Sequence, residues 1–115
     1  MDRVERFLCA ELIREQIFEH FRQEVPYATA IEVESFEERS ATHDVRLEAV
    51  IFVERQSQKA ILIGKGGAAI KKIGIGAREE IAKLLGCTVH LQLTVRVADE
   101  WTRSPAGRRR FGYEP

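Results

Sequence analysis

The first apolar pattern in the chain repeats every three or four residues. Between Val4 and Phe21 its members are Phe7, Ala10, Ile13, Ile17 and Phe21, with Leu8, Leu12 and Phe18 widening the stripe. This spacing predicts an amphipathic helix of about five turns. The helix should end before Pro26, because a proline disfavours helical geometry in the residue that precedes it.

Three later segments alternate between apolar and polar residues, which is typical of strands that are buried on one face. These segments cover residues 31–34, 45–53 and 88–97. Val50 and Phe52 break the alternation in the second segment, so we expect the other face of the sheet to be partly covered as well. The polar residues 39–43 predict a short turn between the first two strands.

The stretch of residues 58–86 has a helical composition but contains two groups of glycines. Gly64, Gly66 and Gly67 form the first group, and Gly74 and Gly76 form the second. Glycine weakens helix interiors, so both groups should break the helical pattern, and we expect two helices joined at the first group. The predicted buried faces consist of Ile63, Ile70, Ile73, Ile81, Leu84 and Leu85, and the candidate terminator of the second helix is Gly86.

The predicted order is therefore helix, strand, strand, helix, helix, strand, which indicates the α+β class. The two strands that flank the helix pair should be parallel neighbours, because a strand, helical crossover, strand unit closes in that way. The helices would then cover one face of a three-stranded mixed sheet. Residues 1–98 hold this domain, and residues 99–115 follow it as a basic and aromatic tail.

Charge is distributed unevenly in this chain of 115 residues, a length that fits one domain. Residues 1–57 hold seven basic and thirteen acidic side chains, a net charge of −6, and residues 58–115 hold eleven and five, a net charge of +6. An anionic partner should therefore meet the second half, where residues 59–72 and 103–110 contain basic but no acidic side chains. A solvated basic surface is the alternative for both stretches.

The sequence also indicates a compartment. No apolar run approaches the roughly eighteen residues that cross a bilayer, and the charged start of the chain does not resemble a signal peptide. Cys9 and Cys87 form no C-x-x-C pair. These features predict a cytoplasmic location with buried, reduced thiols.

A tight glycine turn lies between the two predicted helices, where the second helix begins. A helix N-terminus exposes unpaired N–H groups and the positive end of the helix dipole, and without Cβ atoms a sugar-phosphate backbone can approach those amides. Neighbouring lysines add charge, and neighbouring isoleucines offer an apolar surface to bases. The candidate binding residues are Ile63, Gly64, Lys65, Gly66, Gly67, Ile70, Lys71 and Lys72. Alternatively, the glycines serve only to make a sharp corner.

The position of this G-x-x-G between two helices that follow the second strand is typical of KH domains of the second topological type. Further characteristic stretches are Glu5-Arg6-Phe7, Ala10-Glu11, Ile13-Arg14-Glu15, Val53-Glu54-Arg55, Ile63-Gly64 through Gly67, Ile70-Lys71, Ile73-Gly74-Ile75, Ala77-Arg78, Val89-His90-Leu91 and Gly112-Tyr113. In these stretches, which extend over nearly its whole length, the chain resembles the C-terminal KH domain of the Era family of bacterial GTPases. The chain departs from the family at Gly66, where a polar residue is usual.

The resemblance implies a type II KH domain over residues 1–98 that binds single-stranded RNA and not DNA. The implied ligand is the region near the 3′ end of 16S ribosomal RNA, and the implied role is assembly of the small ribosomal subunit. The parent protein would be a GTPase that uses GTP and Mg in a domain absent here, and peripheral membrane association of that parent is compatible with the resemblance. The tail residues Arg108, Arg109, Arg110 and Phe111 either contact RNA or form a basic end without that role.

The motifs for nucleotide chemistry are missing from this chain. Lys59 stands where a P-loop needs its first glycine, and a chain without asparagine cannot hold the Asn-Lys-x-Asp guanine motif. His20, His43 and His90 have no Ser, Cys or acid at a catalytic spacing, and no metal motif occurs. We therefore expect no enzyme activity and no cofactor in this chain. The remaining alternative is a protein-interaction module that docks on ribosomal proteins without contacting RNA.

Overall fold

The computed structural model describes residues 3–21, 29–99 and 106. Its elements in chain order are α1 (Arg3–Phe21), β1 (Ala30–Arg39), β2 (Asp44–Val53), α2 (Gln56–Ile63), α3 (Ala68–Leu85) and β3 (Thr88–Val97). One turn of 3-10 helix, Lys65–Gly67, joins α2 to α3. The predicted α+β class and the order of the six elements are confirmed.

The three strands form one mixed sheet in the order β1-β2-β3. The central strand, β2, is antiparallel to β1 and parallel to β3, as predicted for strands on either side of a helical crossover. A bulge between Val33 and Ser35 shifts the register of β1. Because of this shift, the core-facing side chains change from Ile31 and Val33 before the bulge to Phe36 after it.

The main core lies between the sheet and the three helices, all of which cover the same face. Its buried members are Cys9, Ile13 and Ile17 of α1, Leu62 of α2, Ile73, Ala77 and Ile81 of α3, and Val45, Leu47, Ala49, Ile51, Val53, Val89 and Val95 of the sheet. On the other face, Val50 and Phe52 form a small cluster with Ala30, and Ala98 packs against it. The prediction that this second face is partly covered is therefore confirmed.

The buried line of α1 differs from the predicted stripe. Phe7 and Phe18 are more than 60% exposed, whereas Cys9, Ile13 and Ile17 are buried. α1 carries apolar residues on adjacent lines of its surface, and their spacing alone does not decide which line faces the core. A similar change affects the helix pair, in which the predicted core residue Leu84 is exposed and Leu62 of α2 is buried instead.

The glycines inside α3 do not break the helix, contrary to the expectation from composition. The helix is continuous from Ala68 to Leu85, and a neighbouring element packs against each of these two glycines. A Cβ atom on Gly76 would lie 2.1 Å from Oε1 of Gln16 on α1, and a Cβ atom on Gly74 would lie 3.8 Å from Cδ1 of Leu93 on β3. Gly86 ends the helix as predicted, in the left-handed conformation, at a φ of 70°.

Both cysteines are free thiols. Burial, with a smaller contribution from the Glu5 carboxylate, raises the pKa of the Cys9 thiol to about 11. Cys87 is only half-buried, so the expected burial holds for Cys9 alone. Within the described ranges, no helix combines the length and apolarity that a membrane crossing requires.

Candidate nucleic-acid interface

The glycine turn is fixed at both of its ends by backbone hydrogen bonds. The N–H of Gly64 donates to the carbonyl of Ala60 in α2 at 2.9 Å, and the N–H of Gly67 donates to the carbonyl of Gly64 at 3.1 Å. At the start of α2, Oε1 of Gln58 accepts the N–H groups of Glu54 and Arg55 at 2.9 and 3.0 Å. The short helix α2 is thus tied to the end of β2, and it holds the turn in place.

The three glycines of the turn meet two different requirements. Gly64 has a φ of 75°, and its Cβ atom would lie 2.7 Å from Cβ of Ala69, so neither the conformation nor the space allows a side chain. Gly66 and Gly67 have φ values of 61° and 78°, but a Cβ atom on either would meet nothing within 4 Å. The corner between the helices therefore explains Gly64, whereas the surface beside Gly66 and Gly67 is open to an approaching ligand.

The turn offers fewer amides to a ligand than its sequence suggests. The N–H groups of Gly64 and Gly67 are used in the two bonds that close the turn, and the N–H of Ala68 donates to the carbonyl of Lys65. The amides of Lys65 and Gly66, at the exposed tip, are the remaining candidates among these residues. The Lys65 side chain is exposed at the same tip.

A groove of about 400 Å³ runs between α3 and β3 and begins near the turn. Its lining consists of Ile70, Lys71, Gly74, Ile75 and Arg78 from α3, and Leu91, Gln92 and Leu93 from β3. Leu91 and Leu93 are only half-buried, because β3 is the edge of the sheet and α3 does not fully cover it. We call this the α3–β3 groove. It combines an apolar floor with polar and basic rims.

Two basic side chains stand on the helical rim of the α3–β3 groove. Lys71 and Arg78 are both exposed and are seven residues apart, which is about two helical turns, so they lie on the same side of α3. Lys65 is not part of the lining of the groove, but it adds a third positive charge in the turn that precedes α3. Basic side chains beside an apolar floor suit a phosphate backbone whose bases turn inward.

The structure separates some of the residues that the sequence grouped. Ile70 and Lys71 line the α3–β3 groove, and Ile63 lies half-buried next to the turn and packs against the core. Lys72 instead lines a cavity between α1 and α3 with Gln16, on the other side of the helix. The predicted tail contacts, Arg108, Arg109, Arg110 and Phe111, lie outside the described residues.

Sequence patterns alone had not selected Arg78 or the floor of the groove. The step of seven from Lys71 to Arg78 was a usable signal, because it repeats the side of a helix every two turns. Leu91 and Leu93 carried no signal, since a strictly alternating strand gives the same pattern whether its apolar face is covered or half-open. Leu91 and Leu93 are only half-covered because β3 lies at the edge of the sheet, and the position of a strand in the sheet depends on the whole fold.

A separate polar cluster surrounds Asp44 at the hairpin between β1 and β2. The Thr42 hydroxyl donates to this carboxylate, Arg39 donates to both of its oxygens at 3.2 and 3.3 Å, and Nε2 of His90 lies 3.0 Å from Oδ2. The bond from Thr42, with those from Arg39 and His90, holds the pKa of Asp44 below its usual value although burial opposes the shift. Among the described residues no group of His, Cys, Asp and Glu is arranged to hold a metal.

Comparison with known proteins supports the same assignment from sequence and from structure. The family model described as KH domain matches residues 24–102. Among curated relatives, GTPase Era of Geobacter metallireducens is 53% identical over 109 residues, and GTPase Era of Xylella fastidiosa strain M12 is 47% identical over 113 residues. These alignments cover 95% and 98% of the chain but only 37% of each relative.

Two crystal structures are similar to the chain with a TM-score of 0.87 and 37% sequence identity. One is an Aquifex aeolicus Era variant bound to GDP and AlF4−, and the other is Era in complex with MgGDPNP and nucleotides 1506–1542 of 16S ribosomal RNA. Each match covers 96% of this chain and 37% of the other. The chain belongs to the KH domain family, and its resemblance to the C-terminal KH domain of Era is confirmed.

Proposed function

We propose that this chain binds single-stranded RNA in the α3–β3 groove. The observation that carries the proposal is that the glycine turn leads directly into α3, the helix that forms one wall of a groove with an apolar floor and a basic rim. The tip amides and the ammonium of Lys65 would hold a phosphate, and Lys71 and Arg78 would follow the backbone along α3. Bases would rest on Leu91 and Leu93, which the fold leaves half-covered.

The apolar floor of the α3–β3 groove favours unpaired RNA over a duplex. A KH cleft admits roughly four unpaired nucleotides and contacts base edges that pairing would hide. The floor between α3 and β3 can receive flat bases only if these turn away from their partners. Single strands should therefore bind more tightly than a duplex of the same sequence.

The similarity to Era supports a more specific ligand and a parent protein. We take the RNA to be the region near the 3′ end of 16S ribosomal RNA, because a structurally similar Era was crystallised with nucleotides 1506–1542 of that RNA. The chain would then be the RNA-binding part of a cytoplasmic Era-like GTPase that acts in small-subunit assembly. GTP and Mg would belong to the other part of that longer protein.

Fluorescence anisotropy with a labelled ten-nucleotide RNA from the 16S 3′ end tests the proposal. Replacing both Lys65 and Gly66 with Asp should weaken binding at least about 100-fold, because two carboxylates would stand where a phosphate must lie. Strain at the left-handed Gly66 position should cost only about 1 kcal/mol of folding free energy. Each lost phosphate contact should also flatten the slope of log affinity against log salt by roughly 0.7.

A matched control is Lys83→Asp, which makes the same charge change as Lys65→Asp in the last turn of α3. Eighteen positions separate the two lysines, so Lys83→Asp should change affinity less than about twofold at 0.15 M salt, where charges are screened beyond about 8 Å. If a folded Lys65→Asp, Gly66→Asp double variant binds RNA as tightly as the unsubstituted chain, the turn is not part of the RNA interface.

The alternative predicted from the sequence, docking on a protein without RNA contact, also has a surface to use. Phe7 and Phe18 on the outer side of α1 are exposed. Binding of naked RNA by the isolated chain decides between the two functions. If the chain shows no affinity for any single strand in a panel but binds ribosomal proteins, the docking function is the correct one.

A further inference from the structure

A second groove begins where the α3–β3 groove ends. It has a volume of about 400 Å³ and shares Arg78, Leu91 and Gln92 with the first groove. Its other wall includes Arg46 and Glu48 of β2. Because three residues are common to both, the two grooves form one continuous surface along the free edge of β3. We call the second one the edge groove.

The edge groove leads from the helix-covered face of the sheet to the opposite face. Arg46 and His90 are register partners across β2 and β3, and both are exposed, whereas the preceding residues Val45 and Val89 are buried in the core. Within the described part of the chain, β3 pairs with β2 alone, so its outer side presents backbone donors and acceptors. An RNA strand that follows α3 away from the glycine turn therefore has a route over this edge.

The two arginines of the edge groove are bonded differently from four of the six other arginines that the structure describes. Four arginines elsewhere hold backbone carbonyls or carboxylates of the protein, namely Arg6, Arg14, Arg39 and Arg96. Within residues 3–21 and 29–99, neither Arg46 nor Arg78 has a carboxylate within ion-pair distance. Their guanidinium groups are free to bind an outside anion, and phosphate matches the geometry of a guanidinium.

Acidic side chains limit how far RNA can extend beyond this point. Glu37 on β1 is the register partner of Arg46, and Glu48 lies two residues further along β2. A second phosphate inside the edge groove would meet Glu48, which lines its wall, and a phosphate that moved past Arg46 across the sheet would meet Glu37. The surface thus attracts one phosphate at the edge and repels the next.

We infer that the edge groove binds one nucleotide that adjoins the RNA stretch in the α3–β3 groove, at the end remote from the glycine turn. Its phosphate lies between Arg46 and Arg78, and its base reaches Gln92 on the shared rim. The inference rests on the proposed RNA binding and deepens it, because it assigns a further subsite and sets where the contact with RNA stops.

RNAs of increasing length test this subsite. Anisotropy is measured with the four-nucleotide RNA that binds most tightly and with versions extended by one and by two nucleotides at either end. The affinity of the unsubstituted chain should rise roughly three- to tenfold when the first nucleotide is added at one end only, and almost not at all when the second is added. An abasic nucleotide at that position should keep most of the gain, because the phosphate makes the main contact.

Arg46→Gln should abolish the gain from the added nucleotide and leave affinity for the four-nucleotide RNA unchanged. Arg3→Gln is the matched control, since Arg3 is exposed at the start of α1, and it should preserve the gain. Lys65→Asp should weaken all lengths. If the unsubstituted chain binds no RNA at all, the proposed RNA-binding function itself is wrong. If it binds four nucleotides but gains nothing at either end, or if Arg46→Gln leaves the gain intact or weakens all lengths equally, the edge subsite alone is wrong.

Discussion

α3 packs against α1 on one side and against β3 on the other, and the two contacts differ in how completely they close. Toward α1, Cys9 and Ala77 are fully buried, and Gly76 allows Gln16 to lie against the helix backbone. Toward β3, Leu91 and Leu93 stay half-exposed, and Ile75 is 45% exposed. One helix thus carries a closed side and an open side.

The difference shows how a small domain can divide its stability and its binding between two sides of one element. Buried apolar area on the closed side supplies folding free energy at about 25 cal/mol per Å². Apolar area on the open side is still in contact with water, so it can contribute to binding when a ligand covers it. Substitutions on the two sides should therefore affect different measurements.

Two isoleucines two residues apart give the largest expected contrast. Ile73 is buried in the core, with 1% of its surface exposed, and Ile75 lines the α3–β3 groove. Ile73→Ala should lower the free energy of unfolding by about 2–5 kcal/mol, whereas Ile75→Ala should lower it by less than about 1 kcal/mol. Urea denaturation measures both variants, and equal losses would contradict the division.

Binding should show the reverse order for the same pair. Ile75→Ala removes apolar surface from the groove and should weaken RNA binding roughly three- to tenfold. Ile73→Ala, measured well below its melting temperature, should bind RNA with the same affinity as the unsubstituted chain. Anisotropy at one fixed salt concentration makes this comparison.

The adjacent lysines Lys71 and Lys72 test whether a positive charge contributes to RNA binding on the open side of α3 only. Lys71 lines the open groove, and Lys72 lines the cavity toward α1. Lys71→Gln should weaken RNA binding roughly three- to tenfold and Lys72→Gln less than about twofold, because only Lys71 lines the groove proposed to hold the RNA phosphates. A stronger loss from Lys72→Gln would place the RNA on the α1 side of the helix.

The two helical glycines should give a smaller effect on stability. Alanine at Gly74 would make only an ordinary contact with Leu93, so helix propensity should stabilise Gly74→Ala by about 0.5–1 kcal/mol. Gly76→Ala must displace the end of the Gln16 side chain and should gain less. Thermal melting ranks the two, and a more stable Gly76→Ala would show that the contact with α1 is looser than described.

The smallest effect is expected at Asp44, beyond the last turn of α3, where a polar cluster replaces apolar packing. Its pKa is lowered from 3.8 in the fold, so ionised Asp44 stabilises the protein above about pH 4, and this stabilisation disappears as pH falls through the folded value. Asp44→Asn should therefore lower the melting temperature slightly at pH 7. The difference between the two melting temperatures should shrink as the pH is lowered from 7 to below 3.8, and a difference that stays constant over that range would assign another role to Asp44.

Sequence patterns identified α1 to α3 and β1 to β3 because the periods of two and of three to four residues are strong in these parts of the chain. The predicted second break, at Gly74 and Gly76, was wrong because a glycine that weakens a helix and a glycine that admits a neighbour look alike in sequence. Gly76 is distinguished only by Gln16, which lies sixty residues earlier in the chain. In the same way, the turn could be predicted from Gly64 to Gly67. The sequence does not show which amides of the turn are already hydrogen-bonded within the protein, or that Leu91 is only half-buried, because both depend on three-dimensional contacts.

The parallel pairing of β3 has a consequence for the order of folding. β1 and β2 are joined by a short turn and can pair early, whereas β3 reaches β2 only after the whole of α2 and α3 has been placed, which costs more chain entropy. We expect β3 to dock last and to open first in the native protein. RNA that bridges α3 and β3 should then slow amide hydrogen exchange most strongly in β3, and equal slowing in β1 would argue for a single cooperative unit.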